Sequence, residues 1–145
     1  MNVNRRAPTE ADVEFARELH AACYREVVIA QFGSWDPVLQ AGFFQQKWGE
    51  GGFEIVELDD VPIGVVATQW GPDHLFVSEI QIDPAHQGRG VGTRIMDELI
   101  AEATSRRLPV RLQVLRQSRA RRWYERLGFA QTGETSTHWT LERAL

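Results

Sequence analysis

One segment past mid-chain, residues 80–92, constrains the fold of this chain more than any other. It reads Ile-Gln-Ile-Asp-Pro-Ala-His-Gln-Gly-Arg-Gly-Val-Gly, and its alternating apolar start ends at Asp83-Pro84. A helical pattern of apolar residues begins at Val91, directly after the glycines. Glycines before a helix N-terminus let the backbone approach closely, and the unpaired N–H groups of the first helical turn favour an anion there. The segment therefore predicts a strand, a phosphate-binding loop and a helix.

The spacing of this loop excludes two common nucleotide-binding motifs. A Walker A loop needs Gly-x-x-x-x-Gly-Lys-Ser/Thr, but Gly92 is followed by Thr93 and the loop contains no lysine. A dinucleotide fingerprint needs Gly-x-Gly-x-x-Gly and an acidic residue about 20 residues further on. The glycines here are spaced Gly-x-Gly-x-Gly, and Val110 and Arg111 stand at that distance. The loop therefore matches neither of these nucleotide-binding motifs.

A third pattern does match. Gln87, Gly90 and Gly92 occupy the fixed positions of Gln/Arg-x-x-Gly-x-Gly/Ala, and residues 120–129, Ala-Arg-Arg-Trp-Tyr-Glu-Arg-Leu-Gly-Phe, fit Ala-x-x-Leu/Phe-Tyr-x-x-x-Gly-Phe. In these two ordered blocks the chain resembles the GNAT superfamily of N-acetyltransferases, over about residues 61–129. Either block alone also fits a plain turn or a helix with a glycine C-cap. The ordered pair favours the functional interpretation.

The apolar periodicity predicts two helices, a strand meander and then strand, loop, helix, strand, helix and strands. This order gives an α/β (α+β) fold: a GNAT-like mixed, mostly antiparallel six- to seven-stranded sheet flanked by about four helices, as the resemblance also implies. The second helix is expected to end near Trp48, before a loop at 49–52. A four-residue hairpin connection is expected at 59–62, and Ser118 is expected to cap a short helix. With 145 residues, we expect a single domain, 1–145.

Composition limits the classes of partner. The net charge of −4 argues against nucleic-acid and membrane partners, and no apolar run or signal pattern suggests anything other than a cytoplasmic protein. The segment 106–126 nevertheless holds eight arginines against the single acidic residue Glu125. It is either a solvated basic face or a local positive field for cofactor phosphates. Cys23, the only cysteine, is expected to be a small core residue rather than a nucleophile.

The resemblance implies acetyl-CoA as co-substrate and no metal. The end of the strand before the loop is expected to pair its backbone with the acetyl group and pantetheine, and the loop amides are expected to hold the pyrophosphate. Gln117 stands where the family often has asparagine, so its contact with the pantetheine is open. The expected cofactor-binding residues are Ile80, Gln81, Ile82, Gln87, Gly88, Arg89, Gly90, Val91, Gly92, Thr93 and Gln117.

The resemblance also implies catalytic roles. Tyr124 occupies the position of a tyrosine that protonates the leaving thiolate, although it also suits helix packing. The motif does not fix the general base. Glu79, on the strand leading to the loop, is the best-placed carboxylate, against the alternative of an ordinary surface glutamate on a strand. His138, on a terminal strand that often lines the acceptor cleft of the family, is the second choice, and a water relay is a third.

Acceptor recognition is expected in the first two helices and their loop. Asp36 would hold a cationic amine and Trp35 would cover it. The stronger alternative makes Asp36 a helix N-cap and Trp35 a hydrophobic staple. The expected acceptor-binding residues are nevertheless Trp35, Asp36 and His138.

The resulting function is an acetyl-CoA-dependent N-acetyltransferase that moves acetyl directly to a primary amine of a small molecule or peptide. The alternative is a catalytically silent acyl-CoA-binding or sensing module of the same fold. A nucleic-acid-binding role for the arginine-rich segment is a weaker third interpretation. Edge strands near the C-terminus suggest a homodimer, by analogy of fold alone.

Overall fold

The computed structural model describes residues 2–145. They form two compact units: residues up to Ala67 together with Glu79–Gly92, and Thr68–Ser78 together with Thr93–Leu145. The helices are α1 (Val13–Phe32), α2 (Pro37–Glu50), α3 (Val91–Ser105) and α4 (Arg121–Arg126), with 3₁₀ turns at Glu10–Asp12 and Pro84–His86. The strands are β1 (Val3–Arg6), β2 (Phe53–Leu58), β3 (Val61–Trp70), β4 (Leu75–Ile82), β5 (Val110–Leu115), β6 (Ala130–Glu134) and β7 (His138–Arg143).

The strands form one seven-stranded sheet in the order β1-β2-β3-β4-β5-β7-β6. The pairs β1–β2, β2–β3, β5–β7 and β6–β7 are antiparallel, whereas β4 pairs with β5 in parallel at Leu75–Val110 and Phe76–Arg111. The predicted α/β (α+β) class, with a mixed and mostly antiparallel sheet and four helices, is confirmed. The expectation of a single domain stays a prediction.

In the first unit, α1 and α2 cover the sheet. Gly33 ends α1 in the left-handed conformation, and its N–H donates to the Ile29 carbonyl at 2.8 Å. Asp36 starts α2, because its Oδ1 accepts from the N–H groups of Val38 and Leu39 at 3.0 and 3.1 Å. The buried apolar faces of the two helices and of β2 and β3 form one core, made of Ala16, Leu19, Phe44, Phe53, Ile55, Val65 and Ala67.

An ionic network ties β1 to the start of α1 and to β2. Arg6 donates through Nη1 to Asp12 Oδ2 at 2.8 Å and through Nε to Glu57 Oε2 at 2.9 Å. Asp12 also accepts from the Thr9 N–H at 2.7 Å. These bonds, that of Arg6 foremost, hold the pKa of the buried Asp12 carboxyl well below its usual range. Arg6, followed by Asn4, also lowers the pKa of Glu57.

Three local boundaries differ from the prediction. Helix α2 continues to Glu50 instead of ending near Trp48, because glycine costs a helix only about 1 kcal/mol and tertiary packing outweighs it. The expected connection 59–62 is a two-residue turn at Asp59 and Asp60, both with positive φ, as in a type I′ hairpin. Ser118 accepts from the Ala120 N–H at 3.1 Å in a turn before α4, and therefore does not cap the helix.

Candidate active site

The side chains of β4 alternate strictly between a buried face and a half-buried face as far as Gln81. Glu79 and Gln81 share the buried face with the apolar residues at the start of the strand, and are only 4% and 5% exposed. The alternative of an ordinary surface glutamate is therefore wrong.

Polar partners surround the buried Glu79 carboxylate. Oε2 accepts from the Tyr24 hydroxyl at 2.8 Å and from Gln81 Nε2 at 2.9 Å. Oε1 is paired with the ammonium of Lys47, which reaches it from α2 and keeps a side chain that is 47% exposed. A carboxylate buried without such partners would be very costly, so the network explains why Glu79 is tolerated inside the unit.

Gln81 leaves one buried polar atom without a partner. Its Nε2 donates to Glu79, but its Oε1 has no hydrogen-bond partner among residues 2–145. Gln81 and Glu79 line a cavity of about 10 Å³, which has room for at most one water molecule. Buried amide oxygens are nearly always bonded, so this one marks a place for an N–H or O–H donor. The cavity is also lined by Ala16, His20, Phe44, Lys47, Phe53 and Val65.

Sequence reasoning missed His20, Tyr24 and Lys47. The ring of His20 lies 5.1 Å from that of Tyr24 and 5.9 Å from that of Trp35, and its Nε2 bonds to Gln40 Oε1 at 3.2 Å. The available signal was the spacing of His20 and Tyr24 on one face of a predicted helix. The position of Lys47 opposite Glu79 depends on how two helices pack on the sheet, and no spacing in the sequence reports it.

The glycine loop has the backbone that the sequence led us to expect. Gly88 and Gly90 both have φ of +80°, a conformation that L side chains rarely adopt, and no atom lies within 4 Å of a Cβ built on either. Both are exposed, and α3 begins directly after Gly90. Free space and exposed amides at a helix N-terminus suit the approach of a phosphate group.

The end of β4 is held by side chains as well as by the sheet. The Ile82 carbonyl accepts from Gln87 Nε2 at 2.8 Å and from Cys23 Sγ at 3.3 Å. A Cβ on Gly64 would lie 2.5 Å from the Gln81 carbonyl oxygen, so only glycine allows this close approach. Gln87 thus fixes the loop to the strand through its side chain.

Cys23 is half-buried rather than fully in the core. Burial, followed by the charges of Asp83 and Glu79, raises the pKa of its thiol to about 11. The thiol is neutral at physiological pH, which removes it as a nucleophile, as expected.

In the second unit, Tyr124 lies on α4 and is 7% exposed. Its ring lies 4.8 Å from that of Trp123 and 5.7 Å, edge-on, from that of Phe129. The Trp123 indole donates to the Thr93 hydroxyl at 2.9 Å, which ties α4 to the first turn of α3. Thr93 therefore has a structural bond of its own, besides any role in holding a cofactor.

The structure brings Gln117 and His138 to one end of the second unit. His138 opens β7 opposite Leu115, the last residue of β5, and Gln117 follows two residues later. The His138 Nδ1 bonds to the Thr137 hydroxyl at 2.7 Å, and Gln117 is exposed.

Asp36 has the structural role that the alternative interpretation gave it, as the N-cap of α2, and Trp35 packs against His20. Binding of an acceptor by Trp35 and Asp36 stays a prediction.

Several arginines of the segment 106–126 contact aromatic or acidic side chains within the second unit. The guanidinium of Arg106 lies 3.9 Å from the Trp70 ring centroid, and Arg111 donates to Glu142 at 2.6 Å. Arg116 lies over Trp139 at 4.3 Å. These contacts favour the interpretation of a structural, partly solvated basic face.

Residues 2–145 contain neither a metal-binding cluster nor a membrane-spanning helix. Among residues 2–145, no three histidine, cysteine, aspartate or glutamate side chains are grouped so that they would hold a metal ion. None of the helices in the described part of the chain is long and apolar enough to span a membrane.

The mixed, mostly antiparallel seven-stranded sheet, together with four helices, has the GNAT fold. The acetyltransferase (GNAT) family model matches residues 13–129, and the chain belongs to that family. No curated protein sequence matches the chain.

Solved structures agree on the fold. The PaiA N-acetyltransferase of Thermoplasma acidophilum, in complex with coenzyme A, has a TM-score of 0.80 at 14% identity, covering 100% of both chains. The ribosomal-protein-S18-alanine N-acetyltransferase of Escherichia coli has a TM-score of 0.72 at 16% identity, covering 99% of this chain and 96% of the other. Arabidopsis thaliana Naa50, in complex with a bisubstrate analogue, has a TM-score of 0.72 at 10% identity, covering 100% of both.

Proposed function

We propose that this protein is an acetyl-CoA-dependent N-acetyltransferase that transfers acetyl directly to a primary amine of a small molecule or peptide. One observation carries the proposal: the strand that leads into the glycine loop bears a buried, hydrogen-bonded carboxylate, that of Glu79. Phosphate binding and proton abstraction are thereby provided by one continuous stretch of chain.

The loop fits the diphosphate of coenzyme A. The amides at the head of α3 are exposed, and the positive φ of Gly88 and Gly90 leaves open space in front of them. The family membership and the coenzyme A complex of a similar fold support this ligand. The full proposed set keeps Ile80, Gln81 and Ile82 for the acetyl and pantetheine backbone contacts, Gln87 to Thr93 for the diphosphate, and Gln117 for the pantetheine.

Glu79 is the proposed general base. A primary amine is mostly protonated at neutral pH and must lose a proton before it can attack a thioester. The other buried carboxylate of the described chain, Asp12, belongs to the ionic network with Arg6 and Thr9 that ties β1 to the start of α1. Glu79 is instead adjacent in sequence to the strand end proposed to hold the acetyl group. Tyr124 is the proposed acid for the leaving thiolate, and His138 remains the second choice of base.

The acceptor class rests on chemistry and on analogy. Two proteins of similar fold have peptide or protein acceptors in their names or ligands. The Escherichia coli enzyme is named for an alanine of ribosomal protein S18, and Naa50 is bound to a bisubstrate analogue that contains the peptide MVNAL. The net charge of −4 suits a cationic amine. Trp35 and Asp36 stay proposed acceptor contacts, and a cytoplasmic location and a homodimer stay expectations.

Binding and turnover test the proposal separately. Calorimetry with coenzyme A tests the loop, and coenzyme A release over a panel of primary amines tests transfer. Glu79→Gln should lower kcat by about 100-fold or more while coenzyme A binding persists. Glu54→Gln is the matched control, a strand glutamate in the same unit that pairs with Arg5 at 3.0 Å and should retain full turnover. Absence of coenzyme A binding by the folded protein would exclude the whole assignment.

One observation favours the second candidate, a catalytically silent acyl-CoA sensor. Both oxygens of Glu79 already accept bonds, from Lys47 on one side and from Tyr24 and Gln81 on the other. A carboxylate so engaged has few lone-pair sites left to accept from an external ammonium. Tight acetyl-CoA binding without turnover on any amine of the panel would establish the sensor instead.

A further inference from the structure

The partner of Glu79 is itself a primary amine. Lys47 is the only lysine among the 145 residues, in a chain whose other basic side chains are arginines and histidines. Its ammonium is paired with Oε1 of Glu79, although nearly half of its side chain stays exposed. An amine held on the proposed base, by a side chain that is nearly half exposed, has the position that an acceptor amine would need.

The surroundings of this amine also suit an acceptor. The Gln81 Oε1 is buried and has no partner in the described chain, so it offers a second acceptor to an N–H group. Tyr24 fixes the other oxygen of Glu79, which holds the carboxylate in one orientation. Gln81 and Glu79 flank Ile80, and backbone positions in a strand are spaced by about 3.3 Å per residue. The residue that holds the lysine amine, Glu79, is therefore the direct neighbour in sequence of Ile80, whose backbone is proposed to contact the acetyl group.

We propose that Lys47 is a site of self-acetylation, a reaction that rests on the acetyltransferase function proposed above. The Lys47 ammonium gives one proton to the Glu79 carboxylate, and the resulting amine attacks the carbonyl carbon of acetyl-CoA. The C–N bond forms and the C–S bond breaks. Tyr124, the acid proposed above, protonates the departing thiolate, and the nitrogen loses its second proton to solvent, from which Tyr124 regains its own. Nζ-acetyl-lysine and free coenzyme A remain. Glu79 then releases its proton to solvent.

Acetylation changes the electrostatics of the site. An acetylated Lys47 carries no charge, so the ion pair with Glu79 is lost and the carboxylate becomes available to an external ammonium. Unmodified Lys47 therefore occupies the place of a cationic acceptor and competes with it.

Mass spectrometry provides the test. The folded protein is incubated with acetyl-CoA, and the acetylated positions are mapped on peptides. Wild type should gain one acetyl group at Lys47, and Lys47→Arg should gain none at that position. Glu79→Gln should slow the modification by at least about tenfold, and Glu54→Gln should match wild type.

A chemical reagent separates self-acetylation from simple exposure, without relying on enzymatic activity. Acetic anhydride reacts with amines regardless of the site, so Lys47 in Glu79→Gln should react with it no more slowly than in wild type. Self-acetylation thus requires that Lys47 of Glu79→Gln be acetylated more slowly than Lys47 of wild type when acetyl-CoA is the donor, but not when acetic anhydride is the donor. Equal rates of Lys47 acetylation by acetyl-CoA in wild type and Glu79→Gln would overturn the proposal.

The outcomes also distinguish the two proposals. Turnover of external amines with an unmodified Lys47 would overturn self-acetylation and leave the proposed enzyme intact. A folded protein that does not bind coenzyme A would exclude both.

Discussion

A single residue shows how strongly environment decides the chemistry of a side chain. Glu79 and Glu54 are both strand glutamates of the first unit, but the side chain of Glu54 is 35% exposed and pairs with an arginine. The side chain of Glu79 is 3% exposed and is held by a lysine, a tyrosine and an amide. Partially desolvated carboxylates with defined partners are common at catalytic sites, whereas exposed ion pairs contribute little.

Tyr124→Phe tests the proposed acid. The ring stays the same size, so its packing on Trp123 and Phe129 should persist. Loss of the hydroxyl should lower kcat by about 100-fold while the Kd for coenzyme A changes little. Coenzyme A release and calorimetry measure the two quantities. Unchanged turnover would remove Tyr124 from the mechanism.

Asp12→Asn tests a structural ion pair through its pH dependence. Arg6 foremost holds the pKa of Asp12 below its unfolded value of about 3.9, so the stabilisation is complete above that pH and is lost as the pH falls through the folded value. Near neutral pH the variant should lose about 2 kcal/mol of the free energy of unfolding. Urea unfolding should show the difference from wild type shrinking below about pH 4.

The control for this prediction is an aspartate on the exposed side of α3. Asp97→Asn should change the free energy of unfolding by less than about 0.5 kcal/mol at either pH. A difference between Asp12→Asn and wild type that stays constant down to low pH would contradict the ion-pair account.

At the scale of elements, the proposed phosphate site depends on the succession of β4, the glycine loop and α3 along the chain. The strand orients Glu79, and the loop reverses the chain through Gly88 and Gly90. The head of α3 then presents unpaired amides. The position of the α3 amides depends on the loop, because a side chain at either positive-φ position would strain the loop and shift it.

Gly90→Ala tests this element. No atom lies near the added Cβ, but φ of +80° strains any L residue by about 1–2 kcal/mol. We expect coenzyme A affinity to fall by about tenfold or more, because the strained loop moves its amides away from the diphosphate. Gly49→Ala is the matched control, since Gly49 lies inside α2 with ordinary φ and open space. It should leave the Kd unchanged and stabilise the helix by up to about 1 kcal/mol.

At the scale of the whole molecule, the proposed binding of coenzyme A should raise the stability of the folded protein. A ligand that binds only the folded protein adds about 2.7 kcal/mol to the free energy of unfolding at a concentration of 100 times Kd. The melting temperature of wild type should therefore rise with coenzyme A concentration, and that of Gly90→Ala should rise less at the same concentration. Thermal unfolding at several concentrations measures this. A melting temperature independent of coenzyme A would contradict binding at the loop.

The sequence alone determined those features that depend on neighbours along the chain. The period of apolar residues placed the strands and helices, Asp36 fitted the N-cap of a helix, and residues 80–92 specified the strand, loop and helix. Boundaries such as the end of α2 escaped it, because packing against the core outweighed the weak preference of glycine to stop a helix.

Tertiary structure decided what depends on distant partners. Whether Glu79 lies at the surface or inside follows from the helices that cover β4, and its bonds to Tyr24 and Lys47 join positions 55 and 32 residues away. Local patterns cannot report such pairs, because burial and hydrogen bonding arise only when separate elements pack. The loop that suits a phosphate was therefore evident in the sequence, whereas the lysine amine resting on the proposed base emerged only from the folded chain.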